Sequence, residues 1–308
     1  MGTVARGIML RSDYRQYPSY PHGYAIHLTL GFIASSLGAL AVPAILEKQY
    51  TAVTFLVLAA QQFRDIRKME HDSLHDLEAG ELVPRGETYI DGIAKVFEAR
   101  NYLAMLTALV TAIVVEVFPR RWGLVGVGAG VLSGFAVMGM LSRAVVGRKI
   151  GDICEVRPAK LNFRGPNLFV EDIYIMNVGL PVSREAIKER GLALLIIPKS
   201  PAARATLANI GQRQAIAHDA SSILGVHKDI GEIEFTPLLR LNHDDGSAGM
   251  YLVPQEENLE ALIKAVKNVP LLESARRQPA SSAAGQVIWP RPKDGGGEGH
   301  EGGGGTDG

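Results

Sequence analysis

Residues 24–46, YAIHLTLGFIASSLGALAVPAIL, decide the fold of the amino-terminal half of this 308-residue chain. They contain no Asp, Glu, Lys or Arg, and as a helix they would be about 34 Å long, enough to cross the roughly 30 Å of hydrocarbon in a bilayer. A signal peptide fits less well, because the stretch is long, follows Arg6, Arg11 and Arg15, and precedes no small-residue cleavage site. The sequence therefore predicts a transmembrane helix here.

Three further apolar stretches follow this segment. Residues 102–118 and 122–142 are joined by Pro119, Arg120 and Arg121, a pattern that predicts a membrane hairpin. Residues 49–63 are uncharged but short, so by length they fit a short span, a re-entrant segment or a buried helix equally well.

Positive charge discriminates between these alternatives, because Lys and Arg accumulate on the cytoplasmic side of a membrane. If all four stretches cross, twelve basic residues of the first 150 lie on one side and three on the other. The three are Lys48, Arg120 and Arg121, and the twelve are Arg6, Arg11, Arg15, Arg64, Arg67, Lys68, Arg85, Lys95, Arg100, Arg143, Arg148 and Lys149. If 49–63 did not cross, nine of the twelve would change sides.

We therefore predict an α-helical membrane domain at 1–150 with four spans and with both termini in the cytoplasm. The predicted spans are about 24–46, 49–63, 102–118 and 122–142, and the loop 64–100 is cytoplasmic. In the fourth span Gly126, Gly130 and Gly134 repeat every four residues, which lets another backbone approach closely. Packing within one chain and homo-oligomerisation both explain this spacing.

The cytoplasmic loop is predicted to form a helix, a break at Pro84 and Gly86, and a second helix that leads into the third span. In the second helix an apolar stripe recurs at helical spacing and is expected to face another part of the structure; it consists of Ile90, Ile93, Val96 and Phe97.

The second helix also contains a recognisable hexapeptide. Residues 89–94 are Tyr-Ile-Asp-Gly-Ile-Ala, and KVFEARNY follows up to Tyr102. With DYRQYP at 13–18 and AAQQFRD at 59–65, this stretch resembles the YIEGIA family, membrane proteins of endospore-forming bacteria named after the hexapeptide. Asp91 stands where the family name has Glu, which keeps the charge and shortens the side chain by one methylene.

The resemblance implies a role in sporulation or germination at the forespore membrane or spore inner membrane. It further implies control of germinant receptor levels by membrane proteolysis, so that germinant receptor subunits are the implied partners. Besides the lipid bilayer, other membrane proteins are therefore the expected partners.

Proteolysis needs catalytic groups, and Asp65, Asp91 and Glu98 are the first candidates, because they are acidic and near span ends in the stretches that carry the resemblance. The alternative is that they pair with Arg64, Lys95 and Arg100 and attach the loop to the membrane surface. Two other candidates are Glu116, the one acid inside a predicted span, and Ser133, with His27 as its base. The alternatives are an interfacial ion pair of Glu116 with Arg120 and a helix-packing face at Ser133. His71 and His75 share a helix face, but no third ligand is near, so no metal site is predicted.

Residues 151–277 have the pattern of a small soluble α/β domain. Strands are predicted at 168–176, 192–197 and 232–241, and 250–253 forms a hairpin partner across Asp245 and Gly246. Helices are predicted after Ser183, between Ser200 and Gly225, and from Glu256 to Pro270. The alternation is compatible with a ferredoxin-like arrangement.

The polar edge of the second helix, with Gln214 and His218, is a candidate partner-binding site, although a polar helix face without a ligand explains it too. The domain contains no phosphate loop or dinucleotide fingerprint, so no cofactor is predicted. The Gly-rich tail 278–308 is predicted to be disordered.

Composition narrows the functional classes. Lys plus Arg equals Asp plus Glu at 32 each, so the net charge is zero and no nucleic-acid partner is predicted. The single cysteine excludes an internal disulfide. Two functions remain: a membrane protease, or protease component, that controls receptor levels, and a non-enzymatic membrane scaffold that recruits a partner through its cytoplasmic domain.

Overall fold

The computed structural model describes residues 1–13, 21–78, 80–118, 123–145, 147–226 and 235–276. The amino-terminal part of these residues forms helices α1 (Gly2–Asp13), α2 (Pro21–Leu46), α3 (Tyr50–Glu78), α4 (Glu87–Val117) and α5 (Gly123–Val145). Among the described residues, three stretches are long and apolar enough to cross a membrane: Tyr24–Leu46, Glu87–Val117 and Gly123–Leu141. They include the first, third and fourth predicted spans. Arg120, Arg121 and the predicted tail lie outside the described residues.

The second predicted span is the first half of a longer helix. No Gly or Pro interrupts Tyr50–Glu78, so the apolar stretch and the polar stretch after it form the single 29-residue helix α3. Because only its first half is apolar, α3 is not one of the three helices that are long and apolar enough to cross a membrane. Four spans therefore stay a prediction.

Helix α4 likewise joins two predicted elements, because the amphipathic part of the loop continues without a break into the third span over 31 residues. It begins just after Pro84 and Gly86, the two residues predicted to interrupt the loop, and Gly86 has a φ of 85°. Helix α4 contacts α1, α2, α3 and α5 and is the centre of the bundle. Helices α2 and α4 are parallel, since His27 packs on Phe97 while Gly38 lies against Met105 further along.

The remaining elements form the α/β domain. They are α6 (Ile150–Ile153), β1 (Cys154–Pro158), β2 (Leu161–Arg164), β3 (Asn167–Val170), β4 (Ile173–Asn177), α7 (Pro181–Arg190), β5 (Leu192–Pro198), α8 (Pro201–Leu207), α9 (Ile210–Leu224), β6 (Leu238–Leu241), β7 (Ala248–Leu252) and α10 (Leu259–Asn268). A four-stranded sheet has the order β1-β5-β7-β6 and a three-stranded sheet has the order β2-β3-β4, both antiparallel.

The four-stranded sheet separates two hydrophobic cores. Successive side chains of β5 point to opposite faces. Leu194 and Ile196 therefore join the core under α9 and α10, while Ala193 and Leu195 join the core shared with the smaller sheet.

The ferredoxin-like arrangement is not confirmed. From β5 to α10 the chain runs strand, helices, strand, strand, helix, in the order of the first five elements of a β-α-β-β-α-β unit. No sixth strand follows α10 in the described residues. The position beside β5 is instead occupied by β1, which precedes the other elements, and the β2-β3-β4 sheet is additional.

Several local predictions are confirmed and others need correction. Strand β5 and the β6–β7 hairpin are present, and Gly246 has a φ of 75° in the predicted turn. Strand β6 covers only 238–241 of the predicted strand 232–241, and residues 232–234 lie outside the described residues. The predicted strand 168–176 is wrong: it is the hairpin β3–β4, because Glu171 adopts a φ of 52° and reverses the chain. Ser200 caps α8 as predicted, but Asn209 starts a new helix, α9, by accepting a hydrogen bond from the Gln212 N–H.

Candidate functional site

The family hexapeptide lies at the junction between the helical bundle and the α/β domain. Tyr89, Ile90 and Ile93 on α4 are each at most 2% exposed and belong to the same core as residues of β1, β5, β7, α9 and α10. Leu74 on α3 joins this core as well. The apolar stripe predicted along the loop therefore packs against a domain that follows it in the chain.

Polar side chains of α9 bind the connection between α3 and α4. The Tyr89 hydroxyl lies 3.1 Å from both carboxylate oxygens of Asp219 and donates to them. The Gln214 amide donates to the carbonyl of Pro84 at 3.2 Å, and Nδ1 of His218 lies 2.6 Å from the carbonyl of Val83. These hydrogen bonds attach the loop to α9 along one edge.

Gly86 is required at this contact for two reasons. Its positive φ is a backbone conformation that other residues rarely adopt. A Cβ at this position would also lie 2.9 Å from the amide carbon of Gln214, in the side chain that binds Pro84. A larger residue would separate the loop from α9.

His218 is 3% exposed, and burial lowers the pKa of its imidazole, although the hydrogen bond to Val83 acts in the opposite direction. The neutral ring therefore donates from Nδ1 to the Val83 carbonyl. Its other nitrogen, Nε2, lies 3.2 Å from the Ser222 hydroxyl, which donates to it. Gln214 and His218 thus bind this chain's own loop, and their recognition of a separate partner stays a prediction.

Two of the three acidic candidates, Asp91 and Glu98, are held by basic side chains. Asp91 pairs with Arg67 at 2.8 Å and with Lys95 at 2.8 Å, and the same guanidinium lies 3.5 Å from Glu98. Asp91 and Glu98 are therefore brought together, but with a cation between them. Asp65 is exposed and lies two positions before Arg67, so it faces another side of α3.

The alternative to a catalytic role was that these acids form ion pairs with nearby basic residues. The predicted Asp91–Lys95 pair is present, and Glu98 contacts Arg67, which was not predicted. The side chain of Arg64 lies outside the described residues. Because these pairs are exposed or partly exposed, each contributes about 0.2–1 kcal/mol to stability.

Ser133 and His27 are far apart along the bundle. The Ser133 hydroxyl donates to the Gly130 carbonyl of its own helix at 2.8 Å, and the neighbouring Gly134 packs on Thr111. His27 packs on Phe97. Fourteen positions of α4, about 21 Å of helix, separate Phe97 from Thr111, so the structure does not bring this serine and histidine together.

Within the described residues, no three His, Cys, Asp or Glu side chains are grouped closely enough to hold a metal ion. His71 instead lies 2.9 Å from Glu87 and 3.3 Å from Asp72. Burial lowers the pKa of His71, but these two carboxylates outweigh it and raise the pKa overall. The arrangement joins α3 to the start of α4.

The glycine face of α5 is occupied within the chain. A Cβ on Gly130 would lie 2.5 Å from the Val115 side chain, and one on Gly134 would lie 2.7 Å from the Thr111 hydroxyl. Gly126 similarly faces Phe118. The spacing therefore serves packing of α5 on α4, and homo-oligomerisation through this face is not tested by these contacts.

Sequence reasoning missed the buried position of α1. Arg6 is fully buried in the bundle, its guanidinium 5.2 Å from the centre of the Phe97 ring and 3.5 Å from His27. Gly31 of α2 provides the space, because a Cβ there would lie 2.5 Å from Cγ of Arg6. Because α1 contains charged residues, its hydropathy did not indicate that it is buried. The available signal was Gly31 in α2, because a small residue on a helix face allows another helix to approach closely.

Taken together, the fold and the junction define a protein with membrane-type helices whose central helix is joined through one core to a small α/β domain. The chain belongs to the YIEGIA family: the family model described as "YIEGIA protein" matches residues 1–282. The resemblance identified from the hexapeptide is thereby confirmed.

A relative supports this assignment. The chain is 44% identical over 278 residues to "Uncharacterized protein YphB" of Bacillus subtilis (strain 168), a match that covers 90% of this chain and 91% of that protein. No solved structure matches the chain.

Proposed function

We propose that this protein is a multi-pass membrane scaffold of spore-forming bacteria that regulates other membrane proteins through its α/β domain. Germinant receptor subunits are the proposed targets, and the forespore membrane or spore inner membrane is the proposed location. Both rest on the family resemblance. The non-enzymatic mode of action rests on the geometry of the junction.

The course of α3 supports four crossings of the bilayer. Helix α3 starts near the end of α2, after three connecting residues, and its polar half meets the start of α4 through Arg67 and Asp91. Because α2 and α4 are parallel, that meeting point lies at the opposite end of the bundle from the α2–α3 turn. If α2 crosses the membrane, α3 has to cross back.

The short apolar half of α3 is compatible with this crossing. Its uncharged stretch is about 21 Å long, so the bilayer must thin locally or the flanking polar side chains must extend to the interface. Tyr50, Phe55 and Leu58 are exposed, as expected for side chains in contact with lipid. With four crossings, the excess of Arg and Lys supports a cytoplasmic location for both termini and for the α/β domain.

The environment of the acidic candidates favours a scaffold over a protease. An aspartyl protease needs two carboxylates that share one proton. Here the Arg67 guanidinium lies 2.8 Å from Asp91 and 3.5 Å from Glu98, so a cation and not a shared proton connects the two carboxylates. The candidate serine mechanism is disfavoured as well, since its candidate base, His27, is about 21 Å from the level of Ser133.

The single observation that carries the proposal is the burial of the hexapeptide against α9. Tyr89 is 2% exposed and hydrogen-bonds Asp219, 130 positions later in the chain. A motif used in this way fixes the α/β domain to a membrane helix, so that a partner bound to the domain is held at a set position relative to the bilayer.

The test is a set of variants expressed as the sole copy in a spore former, with receptor subunits in spores measured by immunoblot. Tyr89→Ala is expected to change receptor levels to those of the deletion strain, because it removes the junction. Tyr102→Ala is the matched control, a tyrosine on the same helix that is 39% exposed. Asp65→Asn, Glu116→Gln and Ser133→Ala are expected to leave receptor levels unchanged.

Variant accumulation is followed in the same samples. If Asp65→Asn, Glu116→Gln or Ser133→Ala abolishes regulation while the protein accumulates normally, the scaffold proposal is wrong and an enzyme is indicated. Cleavage of a receptor subunit by the purified wild-type protein in detergent would lead to the same conclusion. His218→Ala, which weakens the junction less than Tyr89→Ala, is the second junction variant if the latter fails to accumulate.

A further inference from the structure

A cluster of basic side chains lies where the α/β domain is joined to α5. Its members come from the connection after α5, from the residue that follows β5 and from the last turn of α10, and all are exposed: Arg148, Lys149, Lys199 and Lys267. These four residues are called the basic patch below. They are distant in the sequence, so it is the fold that brings them together.

The lysines of the basic patch meet at the short helix α6 and the end of α10. Nζ of Lys149 donates to Oδ1 of Asn268 at 2.9 Å, directly after Lys267 in the chain. A Cβ on Gly151 would lie 3.1 Å from Cβ of Lys267, and Nζ of Lys199 donates to the Gly151 carbonyl at 3.0 Å. The three ammonium groups therefore surround one turn of helix.

The segments that form the basic patch have an excess of positive charge. Residues 147–153 and 264–268 contain four basic residues and one acid, Asp152. The Asp152 carboxylate accepts a hydrogen bond from the backbone N–H of Lys149 at 2.7 Å, so it caps α6. An ammonium group has three N–H donors, and the hydrogen bonds of Lys149 and Lys199 described above use one donor of each. The patch can therefore donate further hydrogen bonds to an anion.

The position of the basic patch in the chain places it near the membrane surface. The apolar stretch of α5 ends at Leu141, and the helix continues for about 6 Å to Val145, which is about the depth of the headgroup layer on one side of a bilayer. Arg148 follows three positions later, so at most about 11 Å of chain separates it from that layer. Long basic side chains extend toward the interface, and charges act over about 8 Å at physiological ionic strength. The headgroup charges are therefore within range of the patch.

From these observations we propose that the basic patch binds anionic lipid headgroups, of the phosphatidylglycerol class, on the side of the membrane where α5 ends. A cluster of basic residues directly after a membrane span is attracted to anionic lipid. The contact gives the α/β domain a second attachment to the bilayer, besides its junction with α4. It requires α5 to lie in the bilayer, and it depends neither on the orientation of the chain nor on the scaffold function.

The test uses the full chain in nanodiscs that contain one of two lipid probes with the same photoactivatable group on the headgroup. One probe is an anionic phosphatidylglycerol and the other is a phosphatidylcholine without net charge. Mass spectrometry then locates the cross-links. The anionic probe is expected to label residues 147–153 and 264–268 at least about fivefold more than the neutral probe, the effect of a single basic residue near an anionic surface. Raising the salt concentration to 0.5 M is expected to reduce this difference.

Matched double variants assign the effect to the basic patch. Lys149→Gln with Lys267→Gln is expected to lower labelling by the anionic probe several-fold and to leave labelling by the neutral probe unchanged. Lys160→Gln with Lys188→Gln is the control, because it removes two exposed lysines on the other side of the four-stranded sheet from α10, and it is expected to label like the wild type. If the patch variant does not fold, Lys199→Gln takes its place.

Equal labelling of the wild type by the two probes would overturn the proposal, and so would unchanged labelling in a folded patch variant. Zero-length cross-links between lysines of the patch and the acids of residues 278–308 would also overturn it, because the chain's own tail would then occupy the patch. These measurements need no receptor subunits, so the scaffold proposal and the lipid contact can fail separately.

Discussion

His218 makes the junction sensitive to pH. Its pKa in the folded protein is below the ordinary value of 6.5 because the imidazole is buried, so the folded state binds a proton less readily than the unfolded state. The stabilisation from the neutral ring is complete above pH 6.5 and is lost as the pH falls from 6.5 toward the folded pKa. After correction for intrinsic exchange rates, we expect hydrogen exchange in the segment around residues 80–90 to become faster as the pH is lowered from 7.5 to 5.

The control for this prediction is His218→Gln, which keeps a donor toward the Val83 carbonyl but has no proton to gain. Its exchange in the same segment is expected to change less with pH. His71 acts in the opposite sense, because its raised pKa makes the contact with Glu87 stronger as the pH falls. Equal pH dependence in the wild type and in His218→Gln would contradict the assignment to His218.

At the scale of elements, α1 depends on one glycine of α2. Ala usually stabilises a helix by about 1 kcal/mol relative to Gly. At Gly31, however, the added Cβ would lie 2.5 Å from Cγ and 2.8 Å from Cβ of Arg6. We therefore expect Gly31→Ala to lower the midpoint of thermal unfolding in detergent and to speed tryptic cleavage after Arg6.

Gly128→Ala is the matched control, because a Cβ at Gly128 has nothing within 4 Å. Its midpoint is expected to stay the same or rise. If Gly31→Ala rises in the same way, α1 does not pack against α2 as described.

Much of the element structure could be predicted, and the failures have physical causes. A continuous apolar run was sufficient to predict β5, and apolar stretches on either side of the Asp245–Gly246 turn were sufficient to predict the β6–β7 hairpin. The β3–β4 turn was missed because it is formed by Glu171 with a positive φ, and glutamate rarely adopts the left-handed backbone conformation. The break between α8 and α9 was missed because Asn209 caps a new helix, while the nearby glycine, Gly211, lies inside that helix and not at the break.

At the scale of the whole molecule, the sequence predicted that the loop had an apolar face but not what covered it. The helical spacing indicates that Ile90 and Ile93 are buried, but the residues of β1, β5, β7, α9 and α10 that share their core are distant in the sequence and are brought there by tertiary packing. Gln214 and His218 were chosen for their spacing on one helix edge, and the structure gives them a partner within the chain. Asp91 and Glu98 were chosen as candidates because of their position in the sequence. Arg67, whose side chain contacts both of them, was not identified from the sequence.

The number of crossings is the prediction on which the whole arrangement depends, and two engineered cysteines test it. The native Cys154 is 1% exposed, so it should not react in the folded protein. Glu47→Cys places a thiol at the exposed α2–α3 turn, and Gly80→Cys places one where a Cβ has nothing within 4 Å. With four spans and cytoplasmic termini, an impermeant maleimide should label position 47 in intact cells and position 80 only after permeabilisation.

The two positions together distinguish the ways in which this prediction can fail. Labelling of both in intact cells would mean that α3 does not cross, and the excess of positive charge would then lie outside. Labelling of position 80 alone would mean that all four helices cross in the reverse orientation. In either case the α/β domain, which is joined to the start of α4 through Tyr89 and Asp219, would face away from the cytoplasm and could not recruit a cytoplasmic partner.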